Sequence, residues 1–293
     1  MKKVQISNED YLQYKPLLFS IGYRMLGSIV EAEDIIHEVF LKAYQMDEQV
    51  MENKKAYLCK MMTNRCLDVI KSARYKREQY VGPWNPEPLV LETSDEFNPS
   101  EYVLQNEGLS IAYLRMMEHL SPDERAVLLL REVLDFSYLE IANIIEKKEE
   151  NCRKIFSRAK QKIAQVENES LNYEKNKSII HRFIEAFQTQ NTAALLELLS
   201  EHVTLYSDGG GKVKAAVRPV ISGSNVLALL YGIVKKAPKG FYFEIKNVNG
   251  QPAIVNYVNG TLHSIISFYI GNDSIYEMYI TLNPDKLTYY GKK

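Results

Sequence analysis

The sequence predicts a multidomain protein in which two all-helical domains, a helical bundle and a helix-turn-helix, precede an α+β domain with a curved sheet wrapped over helices. Three observations lead to this fold class. Apolar residues recur at helical spacing through the first half, a proline-rich acidic stretch interrupts that period, and strand-like patterns take over after Val203. With 293 residues the chain is long enough for two or three domains that each bury a core.

The composition is that of a globular protein. Hydrophobic residues make up 46% of the chain and charged residues 25%, which excludes a disordered chain. No apolar run in the sequence approaches the roughly 18 residues that span a bilayer, and the N-terminal residues MKKVQISNEDY lack the apolar core of a signal peptide. We therefore expect a cytoplasmic protein.

The cysteines are three in number, an odd count, and show no CxxC pair and no histidine at ligand spacing. Cys59 and Cys66 are seven residues apart and would share one face of a helix, while Cys152 lies far from both. This pattern predicts buried core thiols rather than a disulfide framework. We predict neither a metal site nor a cofactor.

The net charge of −1 hides two basic clusters. Residues 60–79 carry six bases against two acids, and residues 147–162 carry seven bases against two acids. Between them, residues 85–107 carry six acids and no base. Because phosphate binding depends on locally concentrated lysine and arginine, this distribution indicates two separate DNA-contacting modules joined by an acidic bridge.

The first helical block runs from residue 8 to about residue 80, with apolar residues at helical spacing throughout. It predicts a helical bundle, to which we assign residues 1–80. In the sequence GPWNPEP, residues 82–88, three prolines exclude a helix and favour an extended segment. Residues 81–101 are therefore assigned to a linker.

A second helical block contains the strongest local pattern of the chain. Ser121, Pro122 and Glu124 form an N-cap, a first-turn proline and a capping-box acid, so a helix should begin at Pro122. A shorter helix should begin after Ser137 in the same manner, followed by a long helix rich in lysine and arginine. This is the layout of a helix-turn-helix with its basic helix in the recognition position, and we assign residues 102–168 to it.

Residues 172–293 predict the α+β domain. An amphipathic helix comes first, and antiparallel strands follow it. The turn signals Asn259-Gly260 and Gly271-Asn272-Asp273 separate the strand-like runs.

The run SDGGGK, which begins at Ser207, raises the question of a nucleotide-binding loop. It lacks the four free positions between glycines and the Lys-Ser/Thr ending that such a loop requires. We predict instead a tight glycine loop, followed by a strand in VKAAV, residues 213–217.

Two motifs in the helical blocks resemble the extracytoplasmic function (ECF) sigma factors of RNA polymerase. The first is AEDIIHEVFLKAY, residues 32–44, followed by KAYLCKMMTNRCLDVIKSARYKRE, and the second is the SRA-basic ending of the helix-turn-helix. The resemblance implies a sigma factor that binds the clamp helices of core RNA polymerase. It also implies recognition of the minus-ten and minus-thirty-five elements of promoter DNA.

The same resemblance implies roles for individual side chains. Asp34, His37 and Glu38 would contact the polymerase, with His37 standing where the family commonly has glutamine. Residues 46–54 would form the loop that captures an extruded base. The DNA-contacting side chains would be those of Asn64, Arg65, Asp68, Lys71, Ser72 and Arg74 at the minus-ten element, and of Arg153, Lys154 and Arg158 at the minus-thirty-five element.

The C-terminal residues resemble the SnoaL-like, NTF2-like cone, and the whole arrangement is similar to the SigJ-like group of ECF sigma factors. Three motifs carry this resemblance: WNPEP, DGGGK and NPDKL, the first with Asn85 where the group commonly has leucine. It implies a regulatory domain that docks near the linker and sets the spacing of the two DNA-binding modules. The interdomain residues would be Trp84, Pro86, Pro88, Asp208, Gly209, Gly210, Gly211, Lys212, Asn283, Pro284, Asp285, Lys286 and Leu287.

Other functions remain open from the residues alone. A conventional helix-turn-helix regulator with a ligand-sensing cone would not need the first helical block. A cyclase or isomerase in the cone would need an acid/base residue inside an apolar cavity, for which His202, Asp208 and His263 are the candidates. No carboxylate pair or His/Asp spacing marks them, so we predict no catalytic residue and no enzyme. A small ligand of unknown identity in the cone is compatible with every one of these functions.

Overall fold

The computed structural model describes residues 6–45, 53–78, 80–90, 109–167 and 172–288. The chain divides into two compact units. The first, the helical unit, comprises residues 1–78, 95–109 and 114–166, and the second, the C-terminal unit, comprises residues 79–94, 110–113 and 167–293. The proline-rich segment therefore belongs to the C-terminal unit, whereas both basic clusters lie mainly in the helical unit.

The helical unit begins with helices α1 (Asn8–Leu26), α2 (Ile29–Tyr44) and α3 (Lys54–Glu78). Their boundaries follow from local capping. Ser7 and Asp10 form a reciprocal capping box at the start of α1, and Gly27 ends that helix in the left-handed region with φ 67°. Ser28 then accepts the backbone N–H of Glu31 and begins α2. The predicted helical bundle is confirmed.

Close packing of these helices depends on a glycine. A Cβ atom at Gly22 in α1 would lie 2.9 Å from the Cβ of Ala32 in α2, closer than two such carbons approach. The small side chains let α1 and α2 come together, and Met62 of α3 closes the same contact. Leu58, Cys59, Met62 and Cys66 consequently form the buried face of α3.

The second helical block contains α4 (Ile111–Met117), α5 (Pro122–Glu132), α6 (Tyr138–Ile145) and α7 (Glu149–Glu167). Both predicted helix starts are confirmed, because Ser121 with Glu124 and Ser137 with Glu140 form complete capping boxes. Helix α6 ends at Glu146 in the left-handed region, with φ 55°, and the chain turns there into α7. This is the predicted helix-turn-helix.

The C-terminal unit combines helices with a sheet that has six strands in the described ranges. The helices are α8 (Tyr173–Gln188), α9 (Thr192–Leu198) and α10 (Gly223–Val234). The strands are β1 (Leu199–Asp208), β2 (Val220–Ile221), β3 (Phe241–Val248), β4 (Gln251–Val258), β5 (Thr261–Gly271) and β6 (Ser274–Thr281). Their order across the sheet is β2-β1-β6-β5-β4-β3. The pair β1–β6 is parallel and the others are antiparallel, which confirms the predicted α+β class.

One predicted strand is wrong. Residues 213–217, VKAAV, form no strand, and the next strand is the two-residue β2. The Gly209 carbonyl accepts the backbone N–H groups of both Lys212 and Val213, so the chain is still turning where the strand was expected. Val213 and Val217 are 38% and 63% exposed, so the alternation of apolar residues corresponds to no buried face.

Two apolar clusters form the core of the C-terminal unit. The larger one joins α8, α9 and α10 to the sheet and includes Ile180, Phe183, Leu195, Val226 and Met278. The smaller one consists of Val248, Ala253, Val255, Ile265 and Leu287, against which Val90 of the linker packs. A linker side chain is thus part of the packing of the C-terminal unit.

The cysteines are buried, as expected. Burial raises the pKa of Cys59 to about 12 and also raises the pKa values of Cys66 and Cys152, so these thiols are unreactive at neutral pH. Across the described ranges, no helix combines the length and hydrophobicity that crossing a bilayer requires. The same residues hold no group of three His, Cys, Asp or Glu side chains arranged to bind a metal.

Candidate functional site

The candidate polymerase surface lies on α2. The helix buries Ile35, Ile36, Val39 and Phe40 on one face, so the intervening polar residues point away from the core. Asp34 and His37 are exposed and Glu38 is half-buried. The predicted set Asp34, His37 and Glu38 therefore lies on one accessible helix face.

Glu38 is not free, because Arg65 of α3 pairs with it. The Arg65 Nε atom lies 2.7 Å from Glu38 Oε2, and Nη2 lies 3.3 Å from Oε1, a bidentate arrangement. This hydrogen bond lowers the pKa of the Glu38 carboxyl and raises the pKa of the Arg65 guanidinium. A predicted polymerase contact and a predicted DNA contact thus neutralise each other in this structure, a pairing that the sequence did not reveal.

The other predicted DNA-contacting residues of α3 lie on the face opposite its core. Asp68, Lys71 and Ser72 are exposed and Asn64 is half-buried. Ser72 donates its hydroxyl proton to the carbonyl of Val69, at 2.9 Å. The side chain of Arg74 and most of the predicted base-capturing loop, residues 46–52, lie outside the described part of the chain.

The candidate recognition helix is α7, on which Arg153, Lys154 and Arg158 are all exposed. Arg153 pairs with Glu149 at 2.6 Å and stacks over Tyr138, and Lys154 pairs with Glu150 at 2.7 Å. Exposed pairs between residues i and i+4 contribute about 0.3–0.5 kcal/mol, so phosphate groups could displace them at little cost. The basic face therefore remains available to DNA.

The two helical blocks pack against each other within the helical unit. Arg125 of α5, which is buried, donates a hydrogen bond to the carbonyl of Met25 at the end of α1. On the other side, Lys60 of α3 pairs with Glu146 at 3.4 Å, and Lys55 lies over the ring of Phe136. The candidate minus-ten helix is thus held against the helix-turn-helix.

Asp208, at the end of β1, is a buried ionic group with 0% of its surface exposed. Its Oδ1 atom accepts the hydroxyl of Tyr80 at 2.6 Å, and its Oδ2 atom accepts the backbone N–H of Asn85 at 2.8 Å. Lys286 donates to the same Oδ2 atom at 2.8 Å. Burial, followed by the hydrogen bond to Asp208, raises the pKa of the Tyr80 phenol, so it remains a hydrogen-bond donor into the alkaline range.

Lys286 completes this arrangement from the other end of the sequence. Its ammonium group lies 4.0 Å from the ring centroid of Trp84 and 5.2 Å from that of Tyr80, and it also donates to the carbonyl of Asn85. The lysine side chain is only 7% exposed. A buried ion pair and two aromatic rings therefore hold Tyr80 and the first residues of the linker, and we call this set, Tyr80, Trp84, Asn85, Asp208 and Lys286, the linker clasp.

Asn85 fits this site although the related group commonly has leucine there. It is fully buried, and its side-chain amide donates to the carbonyl of Ile280 at 3.2 Å. Farther along the linker, Leu89 and Asn249 exchange two hydrogen bonds of 2.8 Å, and Val90 pairs with Val248 as an isolated antiparallel bridge. The linker is thus anchored at two places on the C-terminal unit.

The glycine loop, Gly209 to Gly211, lies next to the linker and to Asn283, which contacts the clasp. Gly210 has φ +59°, and a Cβ atom there would lie 2.6 Å from the side-chain carbon Cγ of Asn283, so a larger residue would be excluded. Asn283 in turn donates to the Tyr80 hydroxyl at 3.0 Å. Gly209 is buried, and Gly211 lies against Val81 of the linker.

The remaining predicted interdomain residues divide into two groups. Pro86, Pro88 and Leu287 are buried, the last in the smaller apolar cluster. Lys212 and Asp285 are exposed and pair with each other at 2.5 Å, and Pro284 is exposed as well. The structure therefore brings Trp84, Asp208, Asn283 and Lys286 together and leaves Lys212, Pro284 and Asp285 at the surface.

The three acid/base candidates do not assemble. His202 is exposed on β1, Asp208 is occupied by the clasp, and His263 lies 3.3 Å from the hydroxyl of Ser264 at a cavity described below. Among the described residues, the lining of that cavity includes no Asp or Glu. These three residues therefore form no proton-transfer pair, and Asp208 instead takes part in the contacts that hold the linker.

Comparison with known families finds two matches. The family model for sigma-70 region 2 matches residues 11–75, and that for sigma-70, region 4 matches residues 110–163. The first match contains most of α1, all of α2 and most of α3, and the second contains α4, α5, α6 and most of α7.

Comparison with individual proteins extends the similarity over the whole chain. The sequence is 27% identical over 283 residues to the ECF RNA polymerase sigma factor SigJ of Mycobacterium tuberculosis, covering 92% of this chain and 90% of SigJ. It is 26% identical over 277 residues to a probable ECF RNA polymerase sigma factor, SigI, of the same species, covering 94% and 92%. The crystal structure of M. tuberculosis SigJ superposes with a TM-score of 0.77 at 24% identity, covering 96% and 98%, which shows the same fold.

Proposed function

Because the chain is an ECF sigma factor with a sigma-70 region 2 and a sigma-70 region 4, we propose that its C-terminal domain regulates transcription in cis by holding the linker between these regions. Sigma factors bind core RNA polymerase and promoter DNA. In this proposal residues 1–80 and 102–168 are the two sigma domains, residues 81–101 are the linker and residues 172–293 are the regulatory domain. The protein acts in the cytoplasm.

Region 2 contributes the polymerase contact and the minus-ten contact. Asp34, His37 and Glu38 bind the clamp helices through the exposed face of α2. Arg65 must leave Glu38 before it can hold a phosphate, since its guanidinium is occupied by the carboxylate. The other minus-ten contacts are Asn64, Asp68, Lys71, Ser72 and Arg74.

Region 4 contributes the minus-thirty-five contact through α7. Arg153, Lys154 and Arg158 are exposed, and the first two are held only by weak surface ion pairs. Guanidinium groups suit bidentate contacts to guanine, and lysine suits phosphate. These three side chains therefore contact the bases and phosphates of the minus-thirty-five element.

Promoter binding requires the two regions to separate. The two elements are named for positions about 25 base pairs apart, which is roughly 85 Å at about 3.4 Å per base pair. In this structure Lys60 of region 2 and Glu146 of region 4 are only 3.4 Å apart. The packed arrangement is therefore a resting state that does not bind both promoter elements. For regions 2 and 4 to separate, the linker between them must extend.

The linker clasp is the single observation that carries the regulatory proposal. Asp208 and Lys286 are both buried and form an ion pair with each other. Each of them also forms a hydrogen bond with the backbone of Asn85 in the linker. Because apolar residues would stabilise a core equally well, we propose that this buried ion pair serves to fix the linker in one arrangement. While the clasp holds residues 80–85 and Asn249 and Val248 hold Leu89 and Val90, less of the linker is free to let the two sigma domains separate.

A disulfide lock tests this proposal. Val90 and Val248 face each other across an antiparallel bridge and share one apolar cluster, and opposed residues of this kind have Cα atoms within disulfide range. We expect the oxidised Val90→Cys/Val248→Cys variant to give about ten-fold less run-off transcript with core polymerase, a change of about 1.4 kcal/mol. Reduction should restore the yield.

The matched control is Val90→Cys alone under the same oxidising conditions, which cannot close the lock. The native thiols are buried with raised pKa values and should not interfere. A fully crosslinked protein that transcribes as well as the control would contradict the proposal. Failure of the two cysteines to crosslink in the purified chain would show that the linker is not seated as described.

Catalysis by the C-terminal domain is the second candidate function. The sigma factor family is non-enzymatic in general. In this chain the one buried acid among the candidates, Asp208, already accepts hydrogen bonds from Tyr80, Asn85 and Lys286. We therefore assign Asp208 to linker binding and propose that the chain is not an enzyme.

A further inference from the structure

The C-terminal unit contains two adjoining cavities that the sigma function does not use. The inner chamber, between α8, α10 and the sheet, has a volume of about 280 Å³. The outer chamber, beside the residues that follow β1 and β6, has a volume of about 890 Å³. Both are lined by Ile233, Val234, Phe241, His263 and Leu282, so the two chambers lie next to each other and share one wall. The volume of the outer chamber lies within the range of about 300–1,000 Å³ that is common for ligand pockets, and that of the inner chamber lies just below it.

The inner chamber is apolar with a small polar group on one wall. Its walls include Phe183, Phe187, Leu230, Ile266 and Met278. The polar group is on β4 and β5, where Asn256 donates to the hydroxyl of Ser264 at 3.0 Å and His263 lies 3.3 Å from the same hydroxyl. Such a chamber favours a hydrocarbon group.

The rim of the inner chamber exposes large apolar side chains. Ile233, Val234 and Phe243 are 46%, 48% and 37% exposed, and all three line the same opening. Contiguous apolar surface around an opening is costly in water and marks a site that a partner or ligand covers. The concave shape behind this rim favours a small molecule over a flat protein surface.

The outer chamber carries positive charge at its mouth. Its charged lining residues are Lys214 and Lys236, with His263 as a further titratable group, and its described lining includes no carboxylate. Both lysines are exposed, and within the described part of the chain neither pairs with an acid. An apolar chamber behind an unneutralised basic mouth is complementary to a molecule with one anionic head and an apolar tail.

We propose that this cavity binds an amphipathic carboxylic acid, with its hydrocarbon tail in the inner chamber and its carboxylate at the mouth near Lys214 and Lys236. The binding itself does not depend on the proposed regulation of transcription. Burial of each additional methylene should tighten binding about four-fold until the inner chamber is full. The anionic head should add affinity that an uncharged head of the same length lacks.

The test is calorimetric titration of the full-length protein with saturated acids of increasing chain length and with the matching primary alcohols, all below their micelle concentrations. We expect saturable binding at one molecule per chain, a four-fold gain per methylene over the short acids, and at least ten-fold weaker binding of each alcohol. Absence of saturable binding by any acid would overturn the proposal. Equal affinity of acid and alcohol would overturn the assignment of the anionic head.

Charge reversal at the mouth provides the matched variants. Lys236→Glu should weaken binding of the acid about ten-fold and leave the alcohol nearly unchanged. Lys235→Glu makes the same change of charge one residue away, outside the lining, and should bind the acid as the unmodified protein does. Equal effects of the two variants would contradict a specific site, because they would reflect net charge alone.

A filling variant tests the inner chamber. Ile266→Trp should abolish the gain in affinity with chain length by occupying the space for the tail. If that variant does not fold, as judged by thermal unfolding, the chain-length series and the pair of lysine variants still decide the proposal.

The cavity also adjoins the linker clasp, and this second part rests on the proposed function. Pro284 and Leu287 line the outer chamber, and between them in sequence Lys286 holds the linker. A bound acid should therefore change the rate at which the Val90→Cys/Val248→Cys lock closes, by several-fold. An unchanged rate in a protein that binds the acid would overturn the coupling and leave the binding site standing.

Discussion

Replacing Asp208 by alanine is expected to destabilise the C-terminal unit by about 3–5 kcal/mol, the cost of removing one partner from a buried ion pair. The change leaves Lys286 charged and 7% exposed, without its carboxylate, and it removes the acceptor for Tyr80 and Asn85. The chain has one tryptophan, Trp84, which lies against Lys286, so its fluorescence during urea unfolding reports on the clasp directly.

Two comparisons make this experiment specific. Asp285→Ala removes an acid from the same motif, but its pair with Lys212 is exposed, so we expect a loss below about 1 kcal/mol. Adding Lys286→Met to Asp208→Ala should recover part of the stability, because it removes a buried charge that has lost its carboxylate. If Asp208→Ala and Asp285→Ala unfold at the same urea concentration, the clasp does not stabilise the unit.

Charge reversal on α2 is expected to have the largest effect on polymerase binding. Asp34 is exposed and, in the ranges described, makes no ion pair, so Asp34→Lys should leave the fold intact. If Asp34 contacts a basic surface of the clamp helices, the reversal juxtaposes like charges and should weaken binding at least 30-fold, about 2 kcal/mol. Fluorescence anisotropy of labelled protein titrated with core polymerase at fixed salt measures this loss.

Controls separate this surface from general charge effects. Glu9→Lys reverses another exposed acid of the same region and should bind within about two-fold of the unmodified protein, since surface changes elsewhere alter little. His37→Gln restores the residue that the family commonly has and should bind at least as well. An Asp34→Lys protein that binds core polymerase normally would remove α2 from the proposed interface.

The sequence predicted those features whose causes are local. The starts of α5 and α6 depend on Ser121 with Glu124 and Ser137 with Glu140, pairs only three residues apart. The turn at Asn259-Gly260 likewise depends on two adjacent residues. The helical character of the first block likewise followed from the spacing of its apolar residues.

The pairings within the site could not be predicted, because they join distant parts of the chain. Tyr80 and Asn85 contact Asp208 across 128 and 123 residues, and Lys286 reaches Asn85 across 201. Motif resemblance placed the segments near each other without identifying Asp208 and Lys286 as a buried pair. The contact between Glu38 and Arg65 was missed for the same reason, since it depends on how α2 and α3 pack.

The strand predicted for residues 213–217 is absent, which shows that an alternation of apolar residues does not by itself produce a strand. Alternation in VKAAV, residues 213–217, is typical of a half-buried strand, yet a strand forms only where a neighbour supplies hydrogen bonds and one face is buried. The turn at Gly209 leads the chain away from the sheet before that happens. Short alternating runs next to glycines are therefore weak predictors of strands.

Run-off transcription with core RNA polymerase tests the central claim most directly, by comparing the full chain with one that ends at Leu282. The shortened chain keeps all of β6 and loses Asn283 and Lys286, which hold the linker. We predict that both chains direct a discrete transcript from the same promoter and that the shortened chain gives several-fold more of it. Equal yields would contradict regulation through the clasp, and the absence of any promoter-specific transcript with either chain would contradict the sigma function itself.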